Sequence, residues 1–425
     1  MNIKTLSSII VSISAAVLFS ACGSDSDNYY FEQEEEGDIT AFYGDKLNDR
    51  VVIMDVNTMT QKTSVYTHGV DPYPVDRAGK LDKLYAITRS SNSIDVIDSN
   101  TYEPKGLINL SHFPRSSEAY NTTLGLQYVT GADKPMGSLI DVNTDTVVST
   151  VGLNAIFTGV TGDYGGGNAT GHPFWFNDSQ FALIDRPNRM IHVYTVTKDS
   201  GGAYVSTLLN SIATPTAVHH FVKRDNSDNL FYAIAEGNTL TTAPTIVKYE
   251  LTATALNQIS SVALSGAGAT LADMGSHHAD IHPDGVHIYV GSNEGNLYVV
   301  DSSTMSITNI IPTGAGTGHT TFVPDRGIAV VTNHKDTFVT IIDITNHTFI
   351  KNVTVSGASI HGEILQSHST FVHPNMDDFY AFATDNGIFY ELDLDKLEVS
   401  RTVETGGTPL QGSFICEDGD CASLM

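Results

Sequence analysis

His287-Ile288-Tyr289-Val290, a polar turn, and then Asn296-Leu297-Tyr298-Val299-Val300-Asp301 form the stretch that decides the fold. Its two runs are rich in β-branched and aromatic residues and are bounded by Ser, Asn, Glu and Gly, the pattern of two short strands joined by a turn. The same phrase recurs in Leu84-Tyr85-Ala86 with Ser93-Ile94-Asp95-Val96-Ile97-Asp98. It returns in Ile328-Ala329-Val330-Val331 with Thr340-Ile341-Ile342-Asp343, and in Phe379-Tyr380-Ala381-Phe382 with Phe389-Tyr390-Glu391-Leu392-Asp393. Each copy continues through a Thr/Asn/Lys turn into a third strand such as Ile307 to Ile311. A fourth strand leads into the next copy, in one case through Pro283-Asp284-Gly285.

First strands begin near Ile39, Leu84, Leu126, Phe181, Leu230, Ile288, Ile328 and Phe379, eight units at a spacing of roughly forty to fifty residues. A unit of four short strands cannot bury both faces alone, so the copies must stack, and closing the stack into a ring protects the strand edges. The expected fold is all-β: a single β-propeller of about eight four-stranded blades over residues 39–425. Seven blades are the alternative, because the first three units are the least regular. Closure is expected from Leu410 to Ile415 joining the blade begun at Ile39. No stretch has the pattern of a long amphipathic helix. The phrasing resembles the YVTN family of propeller repeats across nearly the whole region.

The N-terminus carries an address. Met1-Asn2-Ile3-Lys4, an apolar run from Ile9 to Phe19 and Ser20-Ala21-Cys22-Gly23 read as charged start, hydrophobic middle and small-residue cleavage site, with residues 1–21 the signal peptide. The apolar run is too short to span a bilayer. The cysteine after the small residues resembles a lipoprotein lipobox, which implies lipidation at Cys22 and an anchor in the bacterial cell envelope, in the outer membrane facing the periplasm. Residues 22–38, with Glu32, Glu34, Glu35 and Glu36, read as an acidic solvated tether.

The chain has 48 acidic and 22 basic residues, a net charge of −26. That balance excludes nucleic acid as a partner and favours cations. Beyond Cys22 the only cysteines are Cys416 and Cys421, which in an oxidising compartment are expected to close a small disulfide loop.

Propeller geometry sets the start of each innermost strand at one mouth of the central channel. The segments there are Gly171-His172-Pro173, Val218-His219-His220, Ser276-His277-His278, Gly318-His319-Thr320 and Ser367-His368-Ser369, so five successive units carry histidine. The last unit offers Gln411 instead. His334 and Asp336 sit in a loop at the same mouth, and Asp280 is close by as ligand or orienting acceptor. Imidazoles crowded around a channel repel when protonated and leave donors buried when neutral; a bound metal resolves both, and neutral imidazole suits zinc and copper. The remaining histidines, His68, His112, His192, His282, His287, His347 and His373, read as surface or packing residues. Trp175 either walls the channel mouth or packs between blades. No phosphate loop, nucleophile elbow or haem-attachment motif is present.

The export signal, the propeller and the histidines, with His361-Gly362-Glu363 further on, resemble periplasmic zinc metallochaperones of the AztD type. That resemblance implies zinc as cargo, a solute-binding protein of a metal-uptake system as partner, and His172, His219 or His220, His277 or His278, His319, His361 and His368 as ligands. Gly318-His319-Thr320-Thr321-Phe322 is similar to a segment of the nitrous oxide reductase propeller, which implies the alternative of a copper-dependent redox enzyme. A metal-free surface scaffold for protein or polysaccharide is the third reading. No catalytic residue is assigned.

Overall fold

The computed structural model describes residues 37–156, 168–224, 229–266, 268–276 and 278–416. Cys22, the tether, His277 and Cys421 therefore lie outside the described residues. Cys416 is disulfide-bonded.

Eight four-stranded antiparallel sheets stand in a ring, so the eight-blade expectation holds and the seven-blade alternative does not. Seven blades follow the chain: in the blade begun at Thr317–Val323, the strands Ile328–Asn333, Phe338–Asp343 and Thr348–Thr354 follow outward in order. The eighth is shared between the two ends. Pro409–Cys416 pairs with Ile39–Asp45, Ala41 opposite Phe414, and takes the innermost place that the N-terminal strand leaves open. This is the closure expected from Leu410 to Ile415. Gly412 is required there, because a side chain would run into the Phe42 carbonyl.

The sequence pattern explains the layering. Second and third strands are buried on both faces: Phe338–Asp343 is buried at its four central residues, and Gln180–Asp185 at all but its first. Outermost strands alternate or are exposed, as in Thr348–Thr354. Apolar clusters span neighbouring blades, for example Tyr43, Met54 and Ala41 with Phe371, Phe382 and Phe389 across the closure. In six of the eight blades the third strand ends in Asp, which caps the following turn: Asp301 Oδ1 accepts from the amides of Ser303 and Thr304, and Asp343 does the same for Thr345 and Asn346. Trp175 settles as packing, its ring against Tyr128 and Phe181 and its indole N–H on the Ala119 carbonyl.

Candidate metal centre at the channel mouth

The starts of the innermost strands surround a cavity of about 270 Å³ lined by His172, His219, His278, His319, His334 and His368, together with Tyr73, Arg89, Arg115 and Glu236. The histidines do not share one ladder position. His278 and His319 stand one residue before the paired Ala279 and Thr320, whereas His368 stands two before Thr370. Innermost strands lose regular pairing at the mouth, with register shifts between Val218 and Phe221 and between Thr317 and Thr320. One-residue slips are tolerated there and re-aim the side chains.

One half of the cavity holds three imidazoles that converge. Nitrogens of His278, His334 and His368 all lie within 4.8 Å of one another. The ring centroids are 4.3 Å apart for His334 and His368 and 5.1 Å for His278 and His368. Three different blades contribute, and His334 comes from the loop after a second strand. Its Nδ1 donates to the Gln366 carbonyl at 2.9 Å, which leaves Nε2 as the lone-pair nitrogen turned towards the others. Gly318 lets this ring approach, since a Cβ at that position would collide with His334 Nε2. Burial pulls the His334 pKa down to about 4, so the imidazole is neutral at physiological pH. The His319 ring packs at a tilt against His278, centroids 3.9 Å apart, and its Nδ1 is 3.7 Å from Asp280, whose other oxygen accepts from the Thr320 amide.

The other half satisfies itself. His172 Nδ1 meets Glu118, His172 Nε2 is 3.1 Å from His219 Nε2, His219 Nδ1 is 2.8 Å from Glu236, and Glu236 is ion-paired to Arg186 at 2.5 Å. Burial raises the Glu118 pKa, favouring its protonated form. In its protonated form Glu118 donates to His172, His172 to His219 and His219 to the Glu236 carboxylate, one directional chain with every ring nitrogen used. Burial, and after it the positive charge of Arg115, holds the His172 pKa well below the usual imidazole range. That same positive charge disfavours a cation between His172 and His219.

Of the other residues singled out from sequence, His220 turns behind the cavity, its Nε2 3.4 Å from the Ala279 carbonyl, and burial lowers its pKa to about 3. His361 is exposed on its loop and is not among the residues lining the cavity; Glu363 pairs with Lys46 at 2.9 Å. Asp336 accepts from the Ala315 amide. His282, Asp284 and His287 also bring ligand atoms within 4.8 Å, at the opposite end of the blade. There His282 Nδ1 accepts from the Asp284 amide and its Nε2 donates to the Ile344 carbonyl, so both ring nitrogens are engaged in shaping the turn.

Sequence reading missed Arg89, Arg115, Arg186, Glu118 and Glu236. A signal for three of them existed. Arg89, Arg186 and Glu236 each follow directly the end of a second strand, at Thr88, Asp185 and Ala235, the place that His334 occupies after Asn333. Aligning those loops as well as the innermost strands would have shown a second ring of polar side chains.

No family model and no curated protein matches the sequence. Solved structures do resemble the fold. Dihydro-heme d1 dehydrogenase NirN, in complex with DHE, is similar with a TM-score of 0.63 and 13% identity over 91% of this chain and 76% of that one. Apo AztD from Citrobacter koseri is similar at 0.56 and 12%, over 88% and 97%. BamB from Moraxella catarrhalis is similar at 0.54 and 11%, over 79% and 89%. The likeness to AztD expected from the sequence is thus present in the fold, and what the neighbours and the blade count establish together is that this chain is an eight-bladed β-propeller.

Proposed function

We propose that the protein binds a transition-metal cation, zinc first, at the channel mouth, and holds or delivers it in the cell envelope. The observation that carries this is the convergence of His278, His334 and His368. Zinc needs about three nitrogens at about 2.0–2.1 Å in tetrahedral array, which small ring rotations from the present spacing supply, and a fourth position stays open. His319, backed by Asp280, is the adjacent imidazole able to take it. An all-imidazole set also accepts copper. His172 and His219, occupied in their own chain, are not in the preferred ligand set.

Supporting features come from the sequence. The lipobox-like Cys22 and the acidic tether fit an exported protein anchored by lipid and facing the periplasm, and a net charge of −26 fits a cation-attracting surface. A solute-binding protein of a metal-uptake system is the partner that this role requires. The structural likeness to AztD points the same way.

The decisive test is a zinc competition titration on the soluble protein from Gly23 onward, made without a histidine tag. Wild type is expected to bind one zinc per chain, and His278→Ala with His334→Ala to lose more than 100-fold in affinity while keeping its far-UV circular dichroism, more than loss of an outer orienting group costs. Stoichiometric zinc in the double variant would reject this ligand set. Parallel titration with copper tells the two metals apart.

A second expected result concerns Gly318. Gly318→Ala adds no charge and removes no ligand, yet its methyl must push the His334 ring away. Zinc affinity should fall by about 10-fold or more, read in the same titration. Unchanged affinity would show that His334 is not a ligand.

A further inference from the structure

In a chain with an excess of acid, cations at the cavity are conspicuous. Arg115 is 3% exposed and lines the cavity. Its Nη1 donates to the Thr170 carbonyl, and its Nη2 lies 3.4 Å from His219 Nδ1, a nitrogen already engaged with Glu236. Arg89 lies 4.0 Å over the Tyr73 ring and donates to Asn168 Oδ1 at 2.7 Å. Lys335, on the rim, donates to Asn293 at 3.1 Å. Among the described residues no carboxylate is ion-paired with any of these three. The two nearby acids have other work, Glu236 with Arg186 and His219, Glu118 with His172. A buried guanidinium with no carboxylate in direct contact is costly, so it marks a place where an anion is expected from outside. Burial and the neighbouring Arg186 and Arg89 pull the Arg115 pKa down to about 9, against the smaller opposing pull of Glu236 and Glu118.

We infer that the Arg115–Arg89 wall of the cavity binds a small oxyanion, a carboxylate or phosphate, opposite the imidazole cluster. Planar guanidinium donors match the paired oxygens of either group. A cavity of about 270 Å³ limits the guest to a few heavy atoms beyond the oxyanion itself. His219 stands between the two halves, 3.4 Å from Arg115 on one side and with its ring centroid 5.4 Å from that of His278 on the other. An anion held by Arg115 is therefore separated from the proposed metal position by the His219 ring. Joint occupancy rests on the metal reading above; the anion site alone does not.

Calorimetric titration with inorganic phosphate and, separately, succinate tests this on the tag-free soluble protein, metal-free and zinc-loaded, in chloride buffer. One-to-one binding of at least one anion is expected, weakened at least 10-fold in Arg115→Gln and in Arg89→Gln. Arg89 is the less buried of the two, so its variant keeps the test valid if Arg115→Gln fails to fold. Preference for phosphate over succinate, or the reverse, identifies the oxyanion. Binding by wild type that both variants retain in full, or no binding of either anion in either metal state, overturns the inference. Anion binding without zinc binding would sustain it and reject the metal reading; zinc binding without anion binding would do the opposite.

Discussion

Arg186→Met should destabilise the propeller by about 3–5 kcal/mol, the usual cost of breaking a buried ion pair from one side. Arg186 and Glu236 are both 1% exposed and lie in neighbouring blades, the guanidinium bonded to the Glu236 carboxylate and to the Asn168 carbonyl. Removing only the cation leaves the acid in a site of low polarity, with a hydrogen bond to His219 in place of a full charge. The double variant Arg186→Met with Glu236→Leu removes both charges, and most of the lost stability should return, since paired apolar replacements of buried ions are often neutral. Urea unfolding of the four proteins in the cycle measures this. Equal losses in the single and double variants would show that packing, and not the pair, is what Arg186 supplies. The same cycle bears on the site, because Glu236 orients His219 and thereby the chain to His172 and Glu118.

Metal-free protein should lose stability as pH falls from about 6.5 towards 4, and Asp76→Asn should steepen that loss. His334 and His220 have folded-state pKa values of about 4 and 3, lowered first by burial, against an unfolded value of 6.5. Between those limits the unfolded chain binds protons that the folded chain does not, so each imidazole subtracts stability with falling pH, on the order of 3 kcal/mol by pH 4. Asp76 works in the opposite sense. Burial, and next the charge of Glu118, raise its pKa to about 7 from 3.8, so the folded state holds a proton there that the unfolded state has released, and acid stabilises it across much of the same window. Glu118 shifts in the same direction as Asp76, and His172 in the same direction as the two imidazoles. Burial lowers His112 and His347 as well and raises Asp378, so among the described residues five imidazoles stand against three carboxyl groups, which leaves a net loss in acid. Asn at position 76 can still accept from Ser117, whose hydroxyl is 2.6 Å from Asp76, but carries no titration. Melting temperatures of both proteins across pH 4 to 7 measure the difference. Parallel curves would mean that Asp76 stays ionised in the fold.

With both proposed guests bound, the mouth would sort them by charge: the Arg115 and Arg89 guanidinium groups repel a cation and draw an oxyanion, while the neutral imidazoles accept the cation. Zinc transfer to a partner protein would then be sensitive to the anion present.

Much of the architecture was legible along the chain. The recurrence of Leu84-Tyr85-Ala86, His287-Ile288-Tyr289-Val290 and Phe379-Tyr380-Ala381-Phe382 at blade spacing determines the strands and their order outward, because each blade is a local meander whose hydrogen bonds join neighbours in sequence, while the structure decided for eight blades over seven. The closing role of Leu410 to Ile415 followed from counting, as one blade lacked its inner strand. Histidine at the channel mouth was also visible, since position within a repeat sets position in the ring. What only the tertiary structure decided is which of those side chains meet. His278, His334 and His368 are separated by 56 and 34 residues in the chain and converge through the curvature of the ring, and one-residue slips where ladder pairing lapses send His220 behind the wall while His219 and His278 face the cavity. Arg115 and Glu118 carry no repeat signature at all. Their role arises from burial beside Arg186, Glu236 and the imidazoles, and the energy of a charge depends on neighbours that sequence order does not reveal.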